Sequence, residues 1–197
     1  MGVMGFHPGA FTRRWMLFVD GENFTIRAQS FAVENNFSLV EGPHYRKDTF
    51  VWLPGRSPTS ATVMTSSALQ RVGVRASYYT SISGDEPLLT AVRESLWSLG
   101  FDPHVFKKDS QSKKTKGVDI TLTKDMLSHA FLGNYDDAGL VAGDADYVPL
   151  VEEIKRLGKV VHVLFFKSHG LSPELRRSAD AFEDISDLFR ASWEQRR

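Results

Sequence analysis

The 197-residue chain contains no cysteine. That absence excludes disulfides, thiolate zinc sites, iron–sulfur clusters and cysteine nucleophiles together, and it fits a reducing compartment. An excess of charge of either sign is also missing: 24 Lys and Arg balance 24 Asp and Glu. Coating of nucleic acid by bulk positive charge is thereby excluded, although a locally basic patch is not. No apolar run approaches the ~18 residues that span a bilayer. The first apolar stretch, Trp15 to Val19, lies between Arg13-Arg14 and Asp20 and is too short for the core of a secretory signal. No membrane association is expected, and the simplest location is cytoplasmic. A glycine-rich phosphate loop is lacking, which argues against an NTPase or a dinucleotide enzyme. His44, His104, His129, His162 and His169 form no pair at zinc-ligand spacing.

What is present is ordinary for a globular protein, with 42% apolar and 24% charged residues. Short apolar runs alternate with longer helical patterns. Strands are expected at Trp15 to Val19, Val74 to Ser81, Phe101 to Phe106, Ala138 to Ala142 and Lys159 to Phe166. Helices are expected from Asn23 to about Val33, at Ala61 to Arg71, Pro87 to Leu99, Val118 to Leu132 and Val148 to Leu157, from Ser172-Pro173 onward, and at Ser186 to Arg197. Prolines at first turns and glycines just past the ends mark several of these boundaries. Residues 34–60, which hold Pro43, Pro54 and Pro58, read as an insertion with one short strand at most. Strands separated by helices imply right-handed crossovers and a mostly parallel sheet covered on both faces. One α/β domain over residues 1–197 is expected.

In such sheets the site lies beyond the carboxyl ends of the strands. Two strands end in acidic corners, Asp20-Gly21-Glu22-Asn23 and Gly143-Asp144-Ala145-Asp146. A third acid, Asp119, opens the long helix after Lys116-Gly117. Each corner alone is accounted for by a turn or a helix cap. Together they form the hard-oxygen set that a divalent cation takes. Asp144 and Asp146, two apart in an extended turn, point the same way; Asp146 could instead cap the helix that follows.

Phe18-Val-Asp-Gly-Glu-Asn-Phe24, Lys116-Gly-Val-Asp-Ile-Thr-Leu-Thr-Lys-Asp-Met126 and Leu140-Val-Ala-Gly-Asp-Ala-Asp-Tyr-Val-Pro-Leu-Val151 resemble, in combination and order, the three signature blocks of NYN domains. More narrowly, they resemble the bacterial branch once labelled a domain of unknown function. The resemblance runs from about Trp15 to Ile185, with 34–60 as a departure. It implies a PIN-like three-layer α/β/α sandwich and a metal-dependent ribonuclease. It places the family's acids on Asp20, Asp119, Asp144 and Asp146, with Asn23 as the accompanying amide. Asp125 and Asp180 also match recurrent acids. Asp125 lies about 240° around an ideal helix from Asp119, which favours a structural role.

On this reading Asp20, Asp119 and Asp144 hold Mg²⁺ or Mn²⁺, directly or through water, and Asp146 is a fourth acid. Asn23 positions a water or a phosphate. RNA, single-stranded, is the expected partner. Lys107, Lys108, Lys113, Lys114 and Lys116 crowd the approach to Asp119 and are candidate phosphate contacts, or a solvated loop. Tyr78, Tyr79 and Trp52 are core aromatics or base-stacking platforms. Arg176 and Arg177 are weaker phosphate candidates. A haloacid-dehalogenase phosphatase would want a second Asp two residues after the first, and a Toprim-like enzyme a glutamate after the first strand; Asp20-Gly21-Glu22 suits neither. The competing class is a non-catalytic or partner-dependent RNA-binding or scaffold module on the same fold. A homodimer using the 34–60 segment is left open.

Overall fold

The structure is a computed structural model that describes residues 12–60, 71–108 and 116–194. Its centre is a six-stranded sheet: β1 (Arg13–Asp20), β4 (Arg71–Ile82), β5 (Asp102–Lys107), β6 (Asp137–Val141), β7 (Val160–Phe165) and β8 (Ala181–Asp184). The spatial order is β5-β4-β1-β6-β7-β8, and every pairing is parallel. The order therefore runs outward in both directions from β1, and the chain reverses between β1 and β6.

The helices are α1 (Gly21–Glu34), α2 (Glu86–Ser98), α3 (Lys116–Phe131), α4 (Val148–Arg156), α5 (Pro173–Ser178) and α6 (Ser186–Glu194). Strand periodicity divides the core between the two faces of the sheet. Trp15, Leu17 and Val19 pack with α1, α2 and α6. Met16 and Phe18 pack with α3, α4 and Leu175 of α5. Burial on both faces is the reason Trp15 to Val19 is an unbroken apolar run. Tyr78, Tyr79 and Trp52 are buried in these clusters, so they are core rings and not base-stacking platforms.

Sequence and structure differ in three places. Residues 34–60 hold two strands instead of at most one, an antiparallel pair formed by β2 (Tyr45–Arg46) and β3 (Phe50–Val51). Its Val51, Trp52 and Leu53 are buried in the α1 face. β8 pairs with β7 at the sheet edge and was not expected. Asp180 starts it: its carboxylate accepts from the Val161 amide at 2.8 Å and its own amide donates to the Val161 carbonyl at 3.0 Å. The helix expected at Ala61 to Arg71 lies outside the described residues, except that Arg71 itself begins β4. Among the described residues no helix is long and apolar enough to cross a membrane.

Candidate acidic centre at the strand-order switch

Asp20 is the last residue of β1, in phase with Met16 and Phe18, so its carboxyl emerges toward α3 and α4. The turn into α1 is tight. A Cβ at Gly21 would lie 2.0 Å from Tyr78 Cε1, so a side chain there would drive the helix away from β4. The two carboxylate oxygens of Asp20 divide their roles. Oδ1 accepts from the Asn23 amide at 3.0 Å and caps α1. Oδ2 accepts from the Tyr147 hydroxyl at 3.0 Å. The turn-and-cap reading and the site reading thus describe opposite sides of one carboxylate.

Tyr147 closes a 3₁₀ turn, Ala145–Tyr147, between β6 and α4. Its hydroxyl also stands 3.2 Å from Oδ1 of Asp119 in the first turn of α3. A phenol has one proton to donate, so two carboxylates compete for it. Burial pushes the Asp20 carboxyl up to about 7, reinforced by the negative charges of Asp119 and Glu22 and opposed by its two hydrogen bonds. Asp119 is raised too, first by burial and then by Asp144, Glu22 and Asp146. Burial, and then the same two carboxylates, push the Tyr147 phenol upward, so it stays protonated. Among the described residues no basic side chain pairs with either Asp20 or Asp119.

Asn23 joins this centre to β6, its Oδ1 accepting from the Gly143 amide at 3.1 Å. Asp144 caps the 3₁₀ turn by accepting from the Asp146 amide at 3.1 Å. That corrects the alternative in which Asp146 caps α4: the cap is Asp144, and α4 begins with no side-chain cap. Asp144 and Asp146 are both exposed, at the rim, whereas Asp20 is buried.

The NYN domain profile matches residues 14–186. The chain belongs to the NYN domain family. NYN domains are part of the PIN-like nuclease superfamily, and the parallel sheet with helices on both faces is the PIN-like α/β/α arrangement. No curated protein matches this NYN chain. Among solved structures it is similar to a protein of unknown function from Vibrio parahaemolyticus, at 20% identity, with 90% of this chain and 95% of that chain covered and a TM-score of 0.56. A short-chain dehydrogenase/reductase mutant from Serratia marcescens aligns at 10% identity, over 94% of this chain and 65% of that one, with a TM-score of 0.28.

In this NYN domain, Asp20 and Asp119 meet on one hydroxyl, Asn23 and Asp144 border them, and Asp146 stands at the exposed edge. Among the described residues no three acidic or histidine side chains are drawn together closely enough to hold a metal ion as they stand. Asp125 belongs elsewhere: it accepts from Tyr79 at 3.3 Å and lies 3.2 Å from Lys124. Of the lysines, Lys107 is exposed, Lys108 is bound to Glu22 at 2.6 Å, and Lys116 opens α3. Lys113 and Lys114 lie outside the described residues. Two members of the centre escaped the sequence reading. Tyr147 sits inside the quoted Gly-Asp-Ala-Asp-Tyr block, where it read only as the start of a helix. Glu22 read as part of a turn, but it accepts from the Ser81 hydroxyl at 2.7 Å and carries Lys108 to the edge of the site.

Proposed function

We propose that the chain is a ribonuclease that hydrolyses phosphodiester bonds of single-stranded RNA with Mg²⁺ or Mn²⁺. One observation carries the reading: two carboxylates from distant elements share a single hydroxyl proton at the strand-order switch, with no basic partner among the described residues. A structural ion cluster would be neutralised; among the described residues this one is not.

The donor set fits a hard divalent cation, which takes one or two carboxylates and completes its shell with water and substrate phosphate. Asp20 and Asp119 are the residues to hold it, with Asp144 reaching it directly or through water. When bound, such an ion lowers the pKa of a coordinated water and neutralises charge developing on the phosphate. The protein's own contribution is placement. The α1 cap fixes the Asp20 carboxylate, and the Tyr147 hydroxyl holds Asp20 and Asp119 in register. Asn23 ties the end of β6 to α1 and leaves its amide nitrogen free for a phosphate or a water. Lys107, Lys113, Lys114 and Lys116 are proposed sequence-independent phosphate contacts. Lys108 becomes one only by leaving Glu22.

The deciding experiment is cleavage of single-stranded RNA by the purified chain. Activity is expected with Mg²⁺ or Mn²⁺ and none in EDTA, and Asp144→Asn is expected to lose at least ~100-fold in rate. An Asp144→Asn protein that cleaves as fast as wild type, or a wild type that cleaves nothing with metal, would leave the RNA-binding module as the function.

A further inference from the structure

Beside the acidic centre runs a groove of about 380 Å³ bordered by Asn23, Arg27, Asp144, Gly170 and Ser172. Asn23 and Arg27 are four apart on α1 and so share one face of the helix. Arg27 is exposed, and among the described residues it makes no ion pair or hydrogen bond. Of the carboxylates nearby, Asp144 accepts from the Asp146 amide at 3.1 Å and the other two are engaged by side chains. Glu174 accepts from the Ser172 hydroxyl at 2.9 Å and from Arg177 at 3.1 Å, and Glu34 meets His169 at 2.7 Å.

The guanidinium nevertheless has a defined seat. Gly170 adopts φ +84°, and a Cβ there would lie 2.3 Å from Arg27 Nε and 2.7 Å from Cζ. A residue with no side chain both permits the left-handed backbone and opens the space in which the cation rests. Asn23 faces the same groove with its amide nitrogen unused, since its hydrogen bond to Gly143 runs through Oδ1. A free guanidinium and a free amide thus converge beside the acids, and both are donors only. Their common ligand is an anionic oxygen acceptor with charge to spare, as on a phosphodiester.

We propose that this groove seats a backbone phosphate of the bound nucleic acid strand next to the one that reacts, with Arg27 as its cation and the Asn23 amide as a second donor. The proposal rests on the nuclease reading for the identity of the ligand. It adds the direction the strand takes, away from the acids along α1 toward Gly170. A contact to phosphate alone carries no base preference.

The test is fluorescence anisotropy of a labelled mixed-sequence single-stranded RNA on Asp20→Asn protein with Mg²⁺, so that the probe persists, titrated over a range of salt. Adding Arg27→Gln is expected to weaken binding about 10-fold, as for one lost charged hydrogen bond. It should also reduce the slope of log affinity against log salt by about 0.7. Arg27→Lys is expected to keep the slope while losing part of the affinity, because the charge remains and the fork does not. An unchanged melting temperature shows that the exposed side chain is not structural. Unchanged affinity and slope in Arg27→Gln, or no RNA binding by the Asp20→Asn protein, overturns the groove. Wild-type cleavage is read separately. RNA held with an Arg27-dependent slope by a protein that cleaves nothing removes the nuclease reading and keeps the groove.

Discussion

Two buried aspartates stand at opposite ends of one strand pair, and they are treated in opposite ways. Asp137 begins β6 opposite Trp15, and Asp20 ends β1. Arg13 lies 2.6 Å from the Asp137 carboxylate and Arg71 lies 3.2 Å away; the hydrogen bond to Asp137 is the main cause of the raised pKa of Arg13. Asp20 has a hydroxyl, an amide and further acids around it. Charge at the amino end of the sheet is neutralised and holds three strands together. At the carboxyl end, among the described residues, no basic side chain meets Asp20. Burial alone does not make an acid a site candidate; burial with a raised carboxyl and no counter-charge does.

The largest effect expected from breaking this contrast is at the neutralised end. Asp137→Asn leaves two arginines against a buried amide and should lower stability by about 3–5 kcal/mol in denaturant unfolding. Asp20→Asn should do the reverse. Cleavage falls at least ~100-fold, while in EDTA the melting temperature stays level or rises. The pH dependence follows from the raised carboxyl. In EDTA the folded protein holds a proton on Asp20 that the unfolded chain has released. The wild type therefore loses stability as pH climbs from about 4 through the folded value of about 7. Asp20→Asn should flatten that fall, and an equal fall in both proteins would place the titration elsewhere. Tyr147→Phe deletes the proton that both carboxylates share and should cost about 1 kcal/mol of stability in EDTA. Because the hydroxyl positions and does not react, the rate should fall less than in Asp20→Asn. The smallest change belongs to Asp125→Asn, whose amide oxygen can still accept from Tyr79. Its cleavage rate should exceed that of any variant at Asp20, Asp119 or Asp144.

Legibility from sequence followed the range of the interactions. Trp15 to Val19 and Lys159 to Phe166 declared themselves because double burial writes an apolar run into the chain. Pro87, Pro149 and Pro173 sit in first turns as local backbone chemistry requires. Of the acidic corners, each legible as a turn or cap, Asp20 caps α1, while in the second the cap is Asp144 and not Asp146. Features made by register were silent. β8 is Ala-Phe-Glu-Asp, four residues with no alternation, and exists because the Asp180 carboxylate grips β7. Tyr147 looks like any core tyrosine until its hydroxyl is seen against residues 28 and 127 positions away. The Glu22–Lys108 pair likewise spans most of the first half of the chain.

The parallel order of the sheet has a consequence for synthesis. β1 emerges from the ribosome before both of its neighbours, and it is completed late: one edge waits for β4 at Arg71–Ile82 and the other for β6 at Asp137–Val141. Asn23 waits longer still, for the amide of Gly143, and Asp20 for the hydroxyl of Tyr147. A nascent chain that stops short of these residues carries the acids but has nothing to set them against. The centre assembles only once Tyr147, 127 positions beyond Asp20, has been made, so its carboxylates are set in place late and together.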